Sequence, residues 1–194
     1  TVTDSEAPSV TCPASVFLTN DPGLCSAIAT FSASGSDNCP GVSVSQVSGG
    51  VSGSAFPVGT STVTFAAVDA NGNTASCSFS VAVVDAEVPN LTCGNAGGLI
   101  SRGNNGGDSL NFASFDNDVT LPNDNGVCGA LYEYDNEVTD NCPVVTVVQT
   151  AGLSSGSSFP VGTTTNTFVA TDAAGNSTSC SFVVTVVDVQ APVA

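Results

Sequence analysis

Motif after motif in this chain returns at a distance of 103 residues. Asp37-Asn38-Cys39-Pro40 recurs as Asp140-Asn141-Cys142-Pro143, and Phe56-Pro57-Val58-Gly59-Thr60 as Phe159-Pro160-Val161-Gly162-Thr163. Asp69-Ala70-Asn71-Gly72-Asn73 recurs as Asp172-Ala173-Ala174-Gly175-Asn176. A fixed period that carries four cysteines in each copy describes two tandem copies of one small disulfide-bonded module. Function is therefore sought first in what an array of modules does.

The margins of the copies repeat as well. Thr1 to Pro8 reads like Ala82 to Pro89 and like Thr185 to Pro192. The expected organisation is residues 1–4 as the end of a preceding module, 5–85 as the first module, 86–188 as the second, and 189–194 as a linker onward. The chain is thus expected to be a window in a longer array. Each copy has the length of an all-β sandwich with a core of its own.

The charge balance limits the partners. Arg102 is the only basic side chain, Lys and His are absent, and the formal charge is -16. Nucleic acid is excluded on this ground, because neutralising phosphates needs Lys and Arg. Disorder, which high net charge alone would suggest, is opposed by a 41% hydrophobic content and by alternating apolar strands. Carboxylates without internal cations must be met by water, salt or bound metal. No apolar run reaches the length needed to span a bilayer, so direct membrane insertion is not expected. Four cysteines per copy with no C-x-x-C spacing argue for disulfides and against zinc, and so for an extracellular or cell-surface location.

The apolar pattern has period two. Cys77, Phe79, Val81 and Val83 alternate with Ser76, Ser78, Ser80 and Ala82, and Cys180, Phe182, Val184 and Val186 repeat the arrangement. Val63, Phe65 and Ala67 mark a second strand, with Phe168 and Ala170 as counterparts. Cys25, Ala27, Ala29 and Phe31 mark a third, matched by Cys128, Ala130, Tyr132 and Tyr134. Val42 and Val44 mark a fourth, and Val10 with Cys12 starts the module. No stretch has a capped helical period. The fold class expected is all-β, two tandem immunoglobulin-like sandwiches of six or seven short strands each. The copies differ between Cys93 and Cys128, where the second copy carries 22 extra residues around 94–115. Such an insertion is either a tolerated surface loop or a contact loop.

Four cysteines allow three pairings per module. Cys12 starts the first strand and Cys77 the last, both in the inward register, and these meet if the terminal strands run side by side. Pairing Cys12 with Cys77 leaves Cys25 for Cys39; in the second copy it pairs Cys93 with Cys180 and leaves Cys128 for Cys142.

With these motifs in place, the chain resembles the hyalin repeat family. The resemblance rests on Asp4 to Pro8 followed by Cys12-Pro13, on Asp37-Asn38-Cys39, on Phe56 to Thr60, and on Asp69 to Asn73 running into Cys77-Ser78-Phe79. The second copy matches through Asp85 to Pro89, Asp140 to Cys142, Phe159 to Thr163 and Asp172 to Phe182. It departs in having Cys93-Gly94 where the pattern has Cys-Pro, and in its insertion. The resemblance implies immunoglobulin-type sandwiches in extracellular multidomain proteins with adhesive or structural roles. Family members that keep only the first and last cysteines support the Cys12–Cys77 pairing.

No catalytic set can be assembled, since no His or Lys is present to act as a base for a nucleophile. An enzyme is not expected. The carboxylates suggest a hard-cation site instead. On an immunoglobulin-type sandwich, the turns at Asp140 and at Asp172 to Asn176 share a pole with the incoming linker. Asp85, Glu87, Asp140, Asp172 and Asn176 would then offer calcium the oxygen ligands it requires. Asp4, Glu6, Asp37, Asp69 and Asn73 form the equivalent set in the first copy. The same residues also suit turns, because Asp and Asn side chains bond to nearby backbone; both roles remain open at this point. Asn90 and Asn176 fit the N-glycosylation triplet.

The reading is a structural or adhesive extracellular segment, a calcium-stiffened stalk or filament whose partners are neighbouring modules, further copies of itself, or surface glycans. The alternative is a carbohydrate or surface-ligand binding module, for which Phe112 and Phe115 in the insertion are the residues to examine.

Overall fold

Stretches of Ser, Thr and Val that alternate with period two become strands, and the Gly, Asn, Asp and Pro clusters between them become turns. The structure, a computed structural model, describes residues 3–95, 118–143 and 145–192. The chain divides into two compact units, Thr1–Glu87 and Val88–Ala194. Among the described residues every regular element is a strand.

The first unit contains β1 (Ser9–Thr11), β2 (Val16–Thr19), β3 (Ser26–Ala29), β4 (Ser34–Ser36), β5 (Ser43–Ser48), β6 (Ser54–Pro57), β7 (Gly59–Val68) and β8 (Thr74–Val84). Long antiparallel β7 and β8 form the spine, with Val63 opposite Phe79 and Phe65 opposite Cys77. Strand β5 joins β7, and β2 runs parallel to β8, giving the four-stranded order β2-β8-β7-β5. The facing layer consists of β1 paired with β4 and β3 paired with β6. Cys12-Pro13 separates β1 from β2, so the opening strand changes layers where a proline cannot donate to the ladder.

The second unit repeats this plan with β9 (Asn90–Asn95), β10 (Val119–Pro122), β11 (Gly129–Tyr132), β12 (Asp135–Thr139), β13 (Thr146–Ala151), β14 (Ser157–Pro160), β15 (Gly162–Thr171) and β16 (Ser177–Val187). Its sheet order is β10-β16-β15-β13, with β9 on β12 and β11 on β14. The fold is two tandem immunoglobulin-like sandwiches. Each unit has eight strands among the described residues where six or seven are expected: β2, β4 and β6 in the first unit, and β10, β12 and β14 in the second, form beyond those that apolar alternation marks. Phe56-Pro57, which reads as a turn, belongs to β6 because Phe56 pairs with Ala27.

The cores are aromatic. Phe31 lies edge-on to Phe56, Phe65 and Phe79, while Phe65 and Phe79 stack with centroids 6.4 Å apart. In the second unit Tyr134 takes the place of Phe31, edge-on to Phe168 and Phe182, and its hydroxyl donates to the Leu153 carbonyl at 2.6 Å. Alternation along β8 buries Phe79, Val81 and Val83 and turns Ser76 and Ser78 to solvent, as β16 does with Phe182, Val184 and Val186. Asn166 stands where the first unit has Val63; it is fully buried and its Oδ1 accepts from the Leu153 amide at 2.8 Å.

Cys12 bonds to Cys77 with Cα atoms 5.8 Å apart, and Cys93 to Cys180 with Cα atoms 6.1 Å apart. Each bridge ties the end of the first strand of a unit to its last strand. The other expected pairs, Cys25 with Cys39 and Cys128 with Cys142, do not form: Cys39 and Cys128 are free thiols. The reason is distance. Cys25 lies where β8 ends, its carbonyl accepting from the Val58 amide beside the Gly59–Val83 pair. Cys39 lies where β8 begins, beside Asp4 and Asp37. The length of β8 between those ends is roughly 30 Å at about 3.3 Å per residue, whereas a disulfide needs Cα atoms within about 7 Å. The same separation holds between Cys128 and Cys142. Cys25 and Cys142 are themselves disulfide-bonded.

Removing the Cys12–Cys77 bridge by the paired Cys12→Ala and Cys77→Ala change is expected to cost about 2–5 kcal/mol, since it frees a long loop in the unfolded chain. Guanidinium unfolding of the full chain checks this; a loss under about 1 kcal/mol would mean that the bridge does not constrain the sandwich.

Candidate cation site and the two poles of each module

Each module has a leading pole, where its chain arrives, and a trailing pole, where β8 or β16 ends. At the leading pole of the first module the turn between β7 and β8 is built on Asp69. Its Oδ1 accepts from the amides of Asn71 at 2.9 Å and Asn73 at 2.8 Å, and its Oδ2 accepts from Asn73 Nδ2 at 2.7 Å. Gly72 completes the turn at φ +89°, a conformation that L side chains rarely adopt. Asp172, Gly175 and Asn176 repeat the device, with Asp172 accepting from the Asn176 amide and from its Nδ2, each at 2.8 Å. Burial pushes both carboxyls up. The Asn side chain and the surrounding backbone amides outweigh it and hold Asp69 and Asp172 below the ordinary value of 3.8.

Asn73 also donates to the Asp4 carbonyl at 3.3 Å and so fastens the arriving chain to the turn. Asp4, Asp37 and Cys39 converge there, with one ligand atom from each within 4.8 Å of the others. Asp4 Oδ1 accepts from the Glu6 amide at 3.0 Å, while its Oδ2 is buried without an N–H or O–H donor. Asp37 accepts from the Cys39 amide at 3.1 Å. The Cys39 thiol is pushed up by its hydrogen bond to Asp4, by burial, and by the negative charges of Asp4, Asp37 and Asp69. Of the first expected set, Asp4 and Asp37 come together. Asp69 and Asn73 bond chiefly to each other, and Glu6 accepts from Asn38 Nδ2 at 3.1 Å. In the second module Asp140 accepts from the Cys142 amide at 3.1 Å, and its Oδ1 is buried without a donor. Carboxylate oxygens without an N–H or O–H donor are what a hard cation would engage; Asp4 and Asp140 each bury one, and the Asp140 and Asp172 carboxylates bring oxygens within 4.8 Å of each other, as those of Asp4 and Asp37 do.

Asp85 and Glu87 belong to the trailing pole of the first module. Glu87 Oε1 accepts from Gly23 N at 2.7 Å and from Asn20 Nδ2 at 3.1 Å, and Asp85 accepts from the Glu87 amide at 3.2 Å. In the second module Gln190 takes the place of Glu87 and its Oε1 accepts from Gly126 N at 3.1 Å. A neutral amide performs the same service, so at this position hydrogen bonding is retained and charge is not.

Sequence reasoning missed the residue that organises this pole. Asn20 is buried between the β2–β3 turn and the departing chain: its Oδ1 accepts from the Ala86 amide at 3.0 Å and its Nδ2 donates to the Leu24 carbonyl at 3.1 Å. Asn123 does the same with the Val189 amide at 3.1 Å and the Val127 carbonyl at 2.9 Å. Next to them, Asp21 and Asp124 accept from the amides of Ile28 and Leu131. The signal was present, because Asn20-Asp21 and Asn123-Asp124 stand at the same 103-residue offset.

Asn90, a glycosylation candidate, opens β9 and is exposed. Asn176 instead uses its amide nitrogen on Asp172. Phe112 and Phe115, together with Arg102 and most of the insertion, lie outside the described residues.

The HYR domain family profile matches residues 3–83 and 125–186. Hyalin of Strongylocentrotus purpuratus is 30% identical over 97% of this chain, which spans 14% of that protein's length. Among solved structures, mouse cadherin-23 EC22-24 is 13% identical, covering 95% of this chain and 68% of its own, with a TM-score of 0.39. Fibronectin(III)-like modules of Clostridium thermocellum CbhA are 13% identical, covering 96% and 99%, with a TM-score of 0.34. At such TM-scores neither likeness bears on the argument, and the fold rests on the strand pairing described above.

The lowered carboxyls give a pH dependence with a definite sign. A folded pKa below the unfolded one favours folding above about pH 4, and that contribution is lost as the pH falls through the folded value. Native protein is expected to lose thermal stability on acidification below about pH 4, and the paired Asp69→Asn and Asp172→Asn variant to show a shallower pH dependence from a lower starting point. Melting curves from pH 6 to pH 2 decide this; parallel curves would remove the two carboxylates as folding determinants.

Proposed function

The chain belongs to the HYR domain family, and from that membership we propose that it is a structural or adhesive extracellular repeat segment, acting as a calcium-stiffened stalk or filament. The single observation that supports it most is the pinning of the chain at both poles of the first module and at the trailing pole of the second. Asn73 and Asp69 fix the arriving strand, while Asn20 and Glu87, or Asn123 and Gln190, fix the departing one. Tension applied along the chain meets the module at those poles and runs through β7–β8 or β15–β16 and the disulfide that closes each sandwich. Disulfides fit an oxidising compartment, hence the extracellular assignment.

Calcium enters through the leading-pole carboxylates. Asp4 and Asp37 in the first module, and Asp140 in the second, would supply ligand oxygens, with backbone carbonyls and water completing the shell. A divalent ion there would relieve repulsion that the chain has almost no cationic side chains to offset. The segment works by packing and by cation bridging, with no turnover.

The test is thermal unfolding of the full chain in millimolar calcium, in chelator, and in sodium chloride of equal ionic strength. Saturation a hundredfold above Kd contributes about 2.7 kcal/mol, which for modules of this size is a shift on the order of 10 °C. The paired Asp37→Asn and Asp140→Asn variant is expected to lose most of the calcium-specific part. Equal melting temperatures in calcium and in sodium chloride would eliminate the cation and leave the stalk to packing alone.

A further inference from the structure

Every module places one cysteine at each pole in addition to its internal bridge: Cys39 and Cys142 lead, Cys25 and Cys128 trail. The leading-pole cysteine of the second module, Cys142, is oxidised, and so is the trailing-pole cysteine of the first, Cys25. Their repeat equivalents, Cys39 and Cys128, are exposed free thiols. Both positions are therefore bridge-forming positions of the repeat, and the two thiols left over stand at the leading pole of one module and the trailing pole of the other. Neither can pair within its own module, since the partner pole lies roughly 30 Å away along the spine strands.

We propose that Cys39 and Cys128 are the two halves of a head-to-tail disulfide, the leading-pole thiol of one copy of this chain bonding to the trailing-pole thiol of another. A heterologous contact of this kind does not close on itself and propagates as a filament. The surroundings suit such a junction. Cys128 follows Val127, and its carbonyl holds the Val161 amide at 3.3 Å. Val127 and Val161 are both exposed and give the trailing pole an apolar rim to bury. Cys39 is an exposed residue in a turn whose backbone is held by Asp37.

The chemistry needs an oxidant, for which a small external disulfide suffices. One thiolate attacks that disulfide, forming a mixed disulfide and releasing one small thiolate. The second protein thiolate then attacks the protein sulfur of the mixed disulfide and releases the other. Two protein thiols lose two protons and two electrons, and one small disulfide becomes two small thiols. Both exchange steps use thiolates, so the bond is expected to form faster as the pH rises. The staple does not require calcium, and it stands or falls separately from the cation reading.

The experiment uses the full chain at several hundred micromolar in a glutathione redox buffer, with Cys39→Ser and Cys128→Ser made separately and confirmed to melt like native protein. Native protein is expected to give a ladder of oligomers on non-reducing gels that collapses with dithiothreitol. Each variant alone is expected to remain monomeric, while their mixture stops at a dimer whose linked peptides carry Cys39 and Cys128. Absence of any linked species, or homodimers of the single variants as abundant as the mixed dimer, would overturn the proposal.

Discussion

The structure depends on how carboxylates are met in a chain that has almost no cations. Salt bridges are not an option when one Arg faces seventeen acidic residues. The backbone takes their place. Asp69, Asp172, Asp21, Asp124, Asp118 and Glu87 each accept from main-chain amides within turns or across to a neighbouring strand. Hydrogen bonds to an ionised acceptor are roughly twice as strong as neutral ones. They also satisfy amides that loops would otherwise leave to water. The acidic composition thus serves as a set of local clamps at the strand ends, where a sandwich most needs them.

These clamps divide the labour between the two ends of each module. At the leading pole Asp69 or Asp172 holds the hairpin turn. At the trailing pole the Asn20 or Asn123 amide joins a turn to the departing chain. Glu87 and Gln190 show that the trailing contact survives loss of charge, whereas the leading turn keeps Asp and Asn in both copies. Between the poles the stability is conventional: apolar side chains from both layers, an aromatic cluster and one disulfide per module. What distinguishes the poles is that the leading ones bury carboxylate oxygens with no N–H or O–H donor, and that two of the pole cysteines, Cys39 and Cys128, are free thiols.

Much of this was legible in the sequence because both copies write it. The 103-residue offset exposed the modules, and period-two alternation gave β7, β8, β15 and β16 with their buried faces. The Cys12–Cys77 and Cys93–Cys180 bridges followed from inward register at the first and last strands. Pairing by elimination then failed for Cys25 and Cys39, because the spacing along the chain does not report which pole a turn occupies. The short strands β4 and β6 escaped because Ser-Gly-Ser and a Pro-containing segment have no alternation to detect; their partners decide their state. The Asp69 and Asp172 turns carry the motif that a cation site would also show, and only the hydrogen bonds from Asn73 and Asn176 show the turn making use of those oxygens.

The account's central claim is that ionised carboxylates are structural acceptors for specific amides. A pH titration of backbone amide resonances by two-dimensional NMR addresses it most directly, since an amide proton bonded to a carboxylate moves when that carboxylate is protonated. The amides of Asn71, Asn73 and Asn176, bonded to the Asp69 and Asp172 carboxylates, are predicted to move upfield as the pH is lowered below about 4, while amides within the β7–β8 ladder stay in place. Titration curves in which those amides remain fixed while the carboxylates protonate would contradict it.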